Sequence, residues 1–146
     1  MPEFHEESIF PFPRDQLWKL LRAHWEDDTT ICQIHPLVRS QKILSRSANE
    51  VVVERTIEAR GKLLTSQWKF TFRPPEFLRY EIVAGDGPYA VGSFVEVHYT
   101  DVPNGTVQKT HFKGWITVLP FFLPQRVFLK RILTDIDKED EAFLRR

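Results

Sequence analysis

The hydrophobic pattern of the N-terminal part of the chain predicts one strand followed by two helices. Residues 3–11 alternate weakly between apolar and polar positions, as a half-buried strand does. Apolar residues then recur at helical spacing from Leu17 to His24. Pro13 suits the first turn of this helix, because its missing N–H needs no partner there. The polar run at 27–30 predicts the cap of a short second helix that ends near residue 35.

From Val38 to Val118 the period changes to two, which is the period of a strand. Turn-forming runs interrupt this region at regular distances and leave six strands in series, joined as antiparallel hairpins. The runs are Ser47-Ala48-Asn49, Arg60-Gly61-Lys62, Arg73-Pro74-Pro75, 84–88 and 102–105.

The C-terminal part predicts a long amphipathic helix that starts after Pro124 and ends at about Leu144. Its apolar stripe contains Phe128, Leu129, Ile132, Leu133, Ile136 and Phe143. We expect Asp135, Asp137, Lys138, Asp140 and Glu141 on its polar side. The predicted order is therefore β-αα-ββββββ-α, in the α+β class. The concave face of a curved antiparallel sheet is the surface on which such a helix can bury its stripe.

Three segments resemble landmarks of a known superfamily. Residues 9–21 are similar to its entry segment, and His35-Pro36-Leu37-Val38 and Asn104-Gly105-Thr106-Val107 look like its "P-x-V" and "G-T-x-V" landmarks. On these motifs the whole chain, 1–146, resembles a single domain of the SRPBCC superfamily, which has the helix-grip fold. Its members include START lipid-binding domains, polyketide cyclase/dehydrase-like proteins and the birch-pollen allergen family. The resemblance implies a seven-stranded curved antiparallel sheet wrapped around a long C-terminal helix, and an internal cavity.

Two hairpins can be placed in register from their turns. A two-residue turn at Gly61-Lys62 pairs Arg60 with Leu63, and the turn after Val102 pairs that residue with Gly105. Both registers separate charged from aromatic positions, as burial of one face requires. The strand Val38–Ser47 has two plausible registers, which stay open. The inward face also holds the polar residues Arg55, Ser66, Tyr80, Ser93, Tyr99, Gln108 and Thr110.

Burying an unpaired polar group costs roughly 1–3 kcal/mol. These inward polar groups therefore favour a cavity with a few orienting groups, which is the usual makeup of a small-molecule site. In the alternative interpretation they reach solvent or pair with one another. The predicted ligand-binding residues are Arg55, Trp68, Phe70, Phe72, Tyr80, Val95, Val97, Tyr99, Thr110, Phe112, Phe128, Ile132 and Ile136.

Arg55 has two interpretations of equal weight. Its guanidinium can stack on Trp68 by cation–π attraction and offer its fork to an acidic ligand. Alternatively it forms an internal ion pair, with Glu81 or with a carboxylate of the last helix.

Strand direction places a cavity mouth at one end of the sheet, formed by His35, Gly61, Gly87, Phe121 and Phe122. The apolar connection 119–124 lies there, although connections normally run over the surface. It is either a lip for ligand transfer or transient membrane contact, or a plug packed into the end of the core.

Composition mainly excludes functions. Twenty Lys+Arg balance twenty Asp+Glu in 146 residues, so the net charge is zero, which argues against nucleic-acid binding. The single cysteine excludes an internal disulfide and a Cys-based zinc site. No targeting segment or spanning apolar run is visible, so we expect a cytoplasmic protein. Exposed edge strands or the apolar segment 119–124 can support a dimer, so the chain is expected to be a monomer or a homodimer. Twelve Phe, four Trp and three Tyr are the positive signal, and they suit a hydrophobic, lipid-like or aromatic ligand.

Catalytic motifs are weak. None of the five histidines forms a HExxH motif, and we predict no metal and no cofactor. His24 is interpreted as a core histidine, and His35 is a possible general base without an identified partner. His98 and His111 with Glu96 make at most a weak surface metal site.

Two further function classes stay open beside ligand binding. A polyketide cyclase/dehydratase-like enzyme would use Arg55, Tyr80 or Tyr99 to polarise a carbonyl, but the sequence indicates no convincing base. An interaction protein would use the apolar segment 120–124 on its partner.

Overall fold

The computed structural model describes residues 1–120 and 122–146. The strands are β1 (Glu3–Phe10), β2 (Val38–Arg46), β3 (Glu50–Ala59), β4 (Lys62–Arg73), β5 (Phe77–Gly85), β6 (Phe94–Val102) and β7 (Gly105–Lys113). The helices are α1 (Arg14–Glu26), α2 (Thr30–Ile34) and α3 (Gln125–Leu144). The strands form one antiparallel sheet in the order β1-β7-β6-β5-β4-β3-β2. The predicted α+β helix-grip architecture is confirmed, although the last strand ends at Lys113 and not at Val118.

The predicted register of the β3–β4 hairpin is wrong by two residues. Ala59 pairs with Lys62, and the turn consists of Arg60 and Gly61, with φ of 52° and 78°. Two positive φ values suit the tight two-residue turn that matches the twist of a hairpin. Arg55 therefore lies opposite Ser66 and not opposite Trp68. Because the shift is an even number of residues, every side chain keeps its predicted face. The β6–β7 register, with Val102 opposite Gly105, is confirmed.

The open register of β2 is decided by two irregularities in its pairing with β3, between Val38 and Ser40 and between Ile43 and Ser45. A bulge re-aims the side chains that follow it. In β2 the result is that Gln41 is buried and lies opposite Arg55.

The long helix α3 packs its apolar stripe against the sheet, with Leu129 fully buried and Ile132 and Leu133 partly buried against the core. The prediction that its acidic residues all lie on the polar side is wrong for Asp140, which is 5% exposed. None of the helices in the two described ranges is both long enough and apolar enough to cross a membrane.

Candidate functional site

A cavity of about 220 Å³ lies between the sheet and α3. It is larger than the ~150 Å³ apolar space that is known to admit benzene in an engineered protein. Its walls come from the seven strands, from α1, α2 and α3, and from the segment that joins α2 to β2. The fold therefore brings inward residues of the whole sheet to one space.

Most of the predicted ligand-binding residues line this cavity, together with the predicted mouth residue His35. They are Arg55, Trp68, Phe70, Tyr80, Val95, Val97, Tyr99, Thr110, Phe112, Ile132 and Ile136. Phe72 is placed elsewhere because its ring stacks on Trp25 at 5.0 Å, and Phe128 packs partly buried against the core.

Three of the other predicted mouth residues, Gly61, Gly87 and Phe122, do not line the cavity. Gly61 lies in the β3–β4 turn, and Gly87 is buried against Ser66. Phe122 is 72% exposed, as the lip interpretation expects, but does not line the cavity. Phe121 lies outside the described residues.

Aromatic rings form a continuous patch on the cavity wall. Trp68 stacks with Tyr80 at 5.9 Å, and Tyr89 meets the Trp68 ring edge-on at the same distance. Phe70 lies 5.8 Å from Tyr80. Tyr89 belongs to the connection between β5 and β6. The period-2 pattern predicts the direction of side chains only within strands, so the sequence did not identify this residue.

Arg55 supplies a buried positive charge beside this aromatic patch. Its Nε and Nη2 donate to Gln41 Oε1 at 2.9 and 2.6 Å, and Nη2 also donates to the backbone oxygen of His24 at 3.1 Å. The guanidinium carbon lies 4.8 Å from the centre of the Trp68 ring, as the cation–π prediction expects. Burial lowers the pKa of Arg55 to about 10, so the side chain is charged at neutral pH.

The internal ion pair considered for Arg55 is absent among the residues that the structure describes. The Glu81 carboxylate binds Arg79 at 3.0 Å on the outer face. The acceptors of Arg55 are an amide and a backbone carbonyl, both neutral. Nη1 has no protein acceptor in the described ranges, so the charge is buried without a counter-ion.

Three tyrosines with neutral hydroxyls line the cavity. Burial raises the pKa of Tyr89 to about 12 and also raises the pKa of Tyr80 and of Tyr99. A neutral phenol donates one hydrogen bond and accepts others. These hydroxyls can therefore orient a carbonyl or hydroxyl oxygen of a bound molecule.

A carboxyl group that the sequence placed on the solvent side also lines the cavity. Burial raises the pKa of Asp137 to about 6, against the lowering effect of a hydrogen bond from Gln108 Nε2 at 3.4 Å. A carboxyl that titrates near neutral pH can exchange a proton with a ligand. A search at helical spacing would have indicated Asp137, because it follows the apolar Leu133 by four residues.

Because the pKa of Asp137 is raised, we expect Asp137→Asn to increase the free energy of unfolding by an amount that depends on pH. The folded chain binds this proton more tightly than the unfolded chain, so stability falls as the pH rises from about 4 to about 6. We expect the variant to raise the free energy of unfolding by about 1–3 kcal/mol at pH 7.5, with little gain at pH 4. Urea unfolding at both pH values measures it. The exposed Asp135→Asn is the control, and an equal gain at both pH values would contradict the prediction.

Two histidines and a carboxylate meet at the cavity wall near the ends of all three helices. His24 lies in the last turn of α1, His35 directly follows α2, and Asp140 lies near the end of α3. Asp140 Oδ1 is 3.3 Å from His24 Nε2 and 3.0 Å from His35 Nε2. The sequence did not indicate a partner for His35, because Asp140 is distant from both histidines along the chain.

Metal-ligating atoms converge at two places in the described ranges. One is the group of His24, His35 and Asp140, and the other is the surface group of Glu3, His5 and His111. In the surface group His111 binds Glu3 at 2.7 Å and stacks on His5 at 4.3 Å. The sequence suggested Glu96 and His98 as the possible metal ligands beside His111. In the structure the ligand atoms that converge with His111 belong instead to Glu3 and His5 of β1.

Comparison with known proteins identifies the fold but gives no relative by sequence. No protein-family model matches, and no curated protein matches. Among solved structures, Ara h 8.0201 is 19% identical at a TM-score of 0.76, with 98% of this chain and 97% of that chain covered.

Two further structures have functional descriptions. The Zhui aromatase/cyclase from Streptomyces sp. R1128 is 13% identical at a TM-score of 0.70, over 98% of this chain and 90% of that chain. The STAR-related lipid transfer protein from Xanthomonas axonopodis is 17% identical at a TM-score of 0.71, over 99% and 86%. At such identities the likeness shows the fold alone, which is the helix-grip fold of the SRPBCC type.

Proposed function

We propose that this protein binds a small hydrophobic molecule, aromatic or lipid-like, in the cavity between the sheet and α3. The observation that carries the proposal is the buried Arg55 guanidinium without a counter-ion, beside an aromatic wall. Apolar lining with a few orienting polar groups is typical of small-molecule sites. The lipid transfer protein and the cyclase with the same fold support this class of ligand.

The chemistry of the cavity wall favours a ligand with an acidic oxygen or an oxygen that accepts hydrogen bonds strongly. A buried cation that lacks an anion is costly, and a ligand carboxylate or phenolate offsets that cost with charge-assisted hydrogen bonds. The Trp68 and Tyr80 rings offer their faces to an aromatic ligand. The expected ligand therefore has an apolar body and one acidic end.

Two fluorescent probes that differ by one charge test both parts of the proposal. 1-Anilinonaphthalene-8-sulfonate carries a sulfonate, and N-phenyl-1-naphthylamine is the same ring system without it. We expect Arg55→Met to weaken the sulfonate probe at least tenfold, because a hydrogen bond to a charged group contributes about 1.5–3 kcal/mol. The neutral probe should change less than threefold. Fluorescence titration of folded protein measures both affinities.

The control is Arg39→Met, which removes an exposed arginine that pairs with Glu58 outside the cavity. It should leave both affinities unchanged. Equal loss of the sulfonate probe in the two variants would remove Arg55 from the anchoring role. Failure of the wild-type protein to bind either probe, with no small molecule recovered by native mass spectrometry and extraction, would contradict cavity binding altogether.

A cyclase/dehydratase-like activity is the second candidate, and Asp137 is the observation that favours it. An acid–base group with a pKa of about 6 lines the same cavity as the neutral Tyr80 hydroxyl. Asp137 would take a proton from a carbon beside a carbonyl, while Tyr80 donates a hydrogen bond to the carbonyl oxygen. A wild-type protein that binds a β-diketone but never converts it would leave binding as the function.

A further inference from the structure

His24, His35 and Asp140 form a compact buried group in which three metal-ligating atoms face one another. The two Nε2 atoms are 3.3 Å apart, and both approach the same oxygen, Asp140 Oδ1, at 3.3 and 3.0 Å. All three residues are buried and line the cavity. Among the described residues, α1 contains His24, α2 directly precedes His35, and α3 contains Asp140.

These separations are those of ligands around one ion. Bonds of about 2.1 Å, which are usual for nitrogen and oxygen on Zn²⁺, place neighbouring ligands roughly 3.0–3.5 Å apart. Without an ion, both imidazoles compete for one carboxylate oxygen and bring their Nε2 atoms together. An ion at the shared point instead accepts a lone pair from each of the three atoms.

The surroundings are those of a metal site. The other nitrogen of His35, Nδ1, lies 3.4 Å from Glu139 Oε1. A carboxylate on the second nitrogen fixes the ring and raises its basicity as a ligand.

We propose that His24, His35 and Asp140 bind one divalent transition-metal ion, of the class of Zn²⁺, at the cavity wall. Imidazole and carboxylate ligands suit such ions, and three protein ligands leave coordination positions open. Because the group lines the cavity, the open positions face the space where a ligand would lie. The inference stands independently of which molecule the cavity binds.

The test titrates the full-length protein, stripped of metal with a chelator, with Zn²⁺ by calorimetry and with Co²⁺ by visible absorption. We expect one ion per chain, with Co²⁺ absorption bands typical of four or five ligands. Asp140→Asn and His35→Gln should each weaken binding at least tenfold. The matched control is His111→Ala, which disrupts the surface group with Glu3 and His5 and should not change the buried site.

Two outcomes would overturn the proposal. One is binding that His111→Ala abolishes and Asp140→Asn leaves unchanged, which would assign the ion to the surface group. The other is the absence of binding by wild-type protein at millimolar Zn²⁺ and Co²⁺. If a variant fails to fold, NMR of the Co²⁺-loaded wild type decides, because two paramagnetically shifted imidazole N–H signals are expected from the buried group. The absence of both signals would refute it.

Discussion

Replacing Phe70 with alanine should lower the free energy of unfolding by about 3–5 kcal/mol, the usual cost of deleting a buried phenyl ring. Phe70 is 1% exposed and lies in the C-terminal half of β4. Its ring is 5.5 Å from Trp25 of α1 and 5.8 Å from Tyr80 of β5. Its removal therefore loosens the contact between the first helix and the sheet as well as the cavity wall.

Urea unfolding measures this effect, with Leu63→Ala as the control in the same strand. Leu63 is 66% exposed, so its truncation should cost less than about 0.5 kcal/mol. The slope of the unfolding free energy against urea should not change, because the surface exposed on unfolding is nearly the same. A loss below 1 kcal/mol for Phe70→Ala would mean that the ring does not support the fold.

Gln41→Leu should be almost as damaging, with an expected loss of about 3 kcal/mol. Gln41 accepts two of the three hydrogen bonds of the Arg55 guanidinium and itself donates to the His24 backbone oxygen at 3.1 Å. A leucine of similar size leaves a buried charge with one remaining acceptor. The loss should therefore come from the uncompensated charge and not from packing.

The double variant Gln41→Leu with Arg55→Met separates these causes. Removing the charge along with its partner converts the site into an apolar contact, which proteins tolerate well. We expect it to recover at least half of the stability lost by Gln41→Leu. Denaturant unfolding of both variants and of the exposed control Gln16→Ala gives the comparison. Equal losses in the single and double variants would show that Gln41 acts by packing.

The double variant Gln41→Leu with Arg55→Met also tests whether Arg55 serves ligand binding. If the apolar pair is nearly as stable as the wild-type pair, the Arg55–Gln41 pair adds little to the stability of the fold. A buried cation that does not stabilise the fold then indicates a role in ligand binding. The sulfonate probe, tested on the double variant, connects the stability measurement with the proposed function.

The sequence by itself determined the elements and, outside β2, the face on which the strand residues lie. Side chains alternate with a period of two, so the inward positions of Arg55, Trp68 and Tyr80 follow from the pattern alone. Even the wrong β3–β4 register preserved them, because a shift of two residues does not exchange the faces. The helical period likewise placed Ile132 and Ile136 on the side of α3 that meets the cavity.

Only the tertiary structure decided which groups these inward residues meet. Gln41 reaches Arg55 because of the irregular pairing of β2, which no hydrophobic pattern encodes. His24, His35 and Asp140 are brought together by the packing of three helices, although His24 and Asp140 are 116 residues apart in the chain. Local periodicity fixes a direction for each side chain, whereas a contact between distant residues depends on how whole elements pack. The strand residues of the aromatic wall could therefore be predicted, and Tyr89 and the histidine–aspartate group could not.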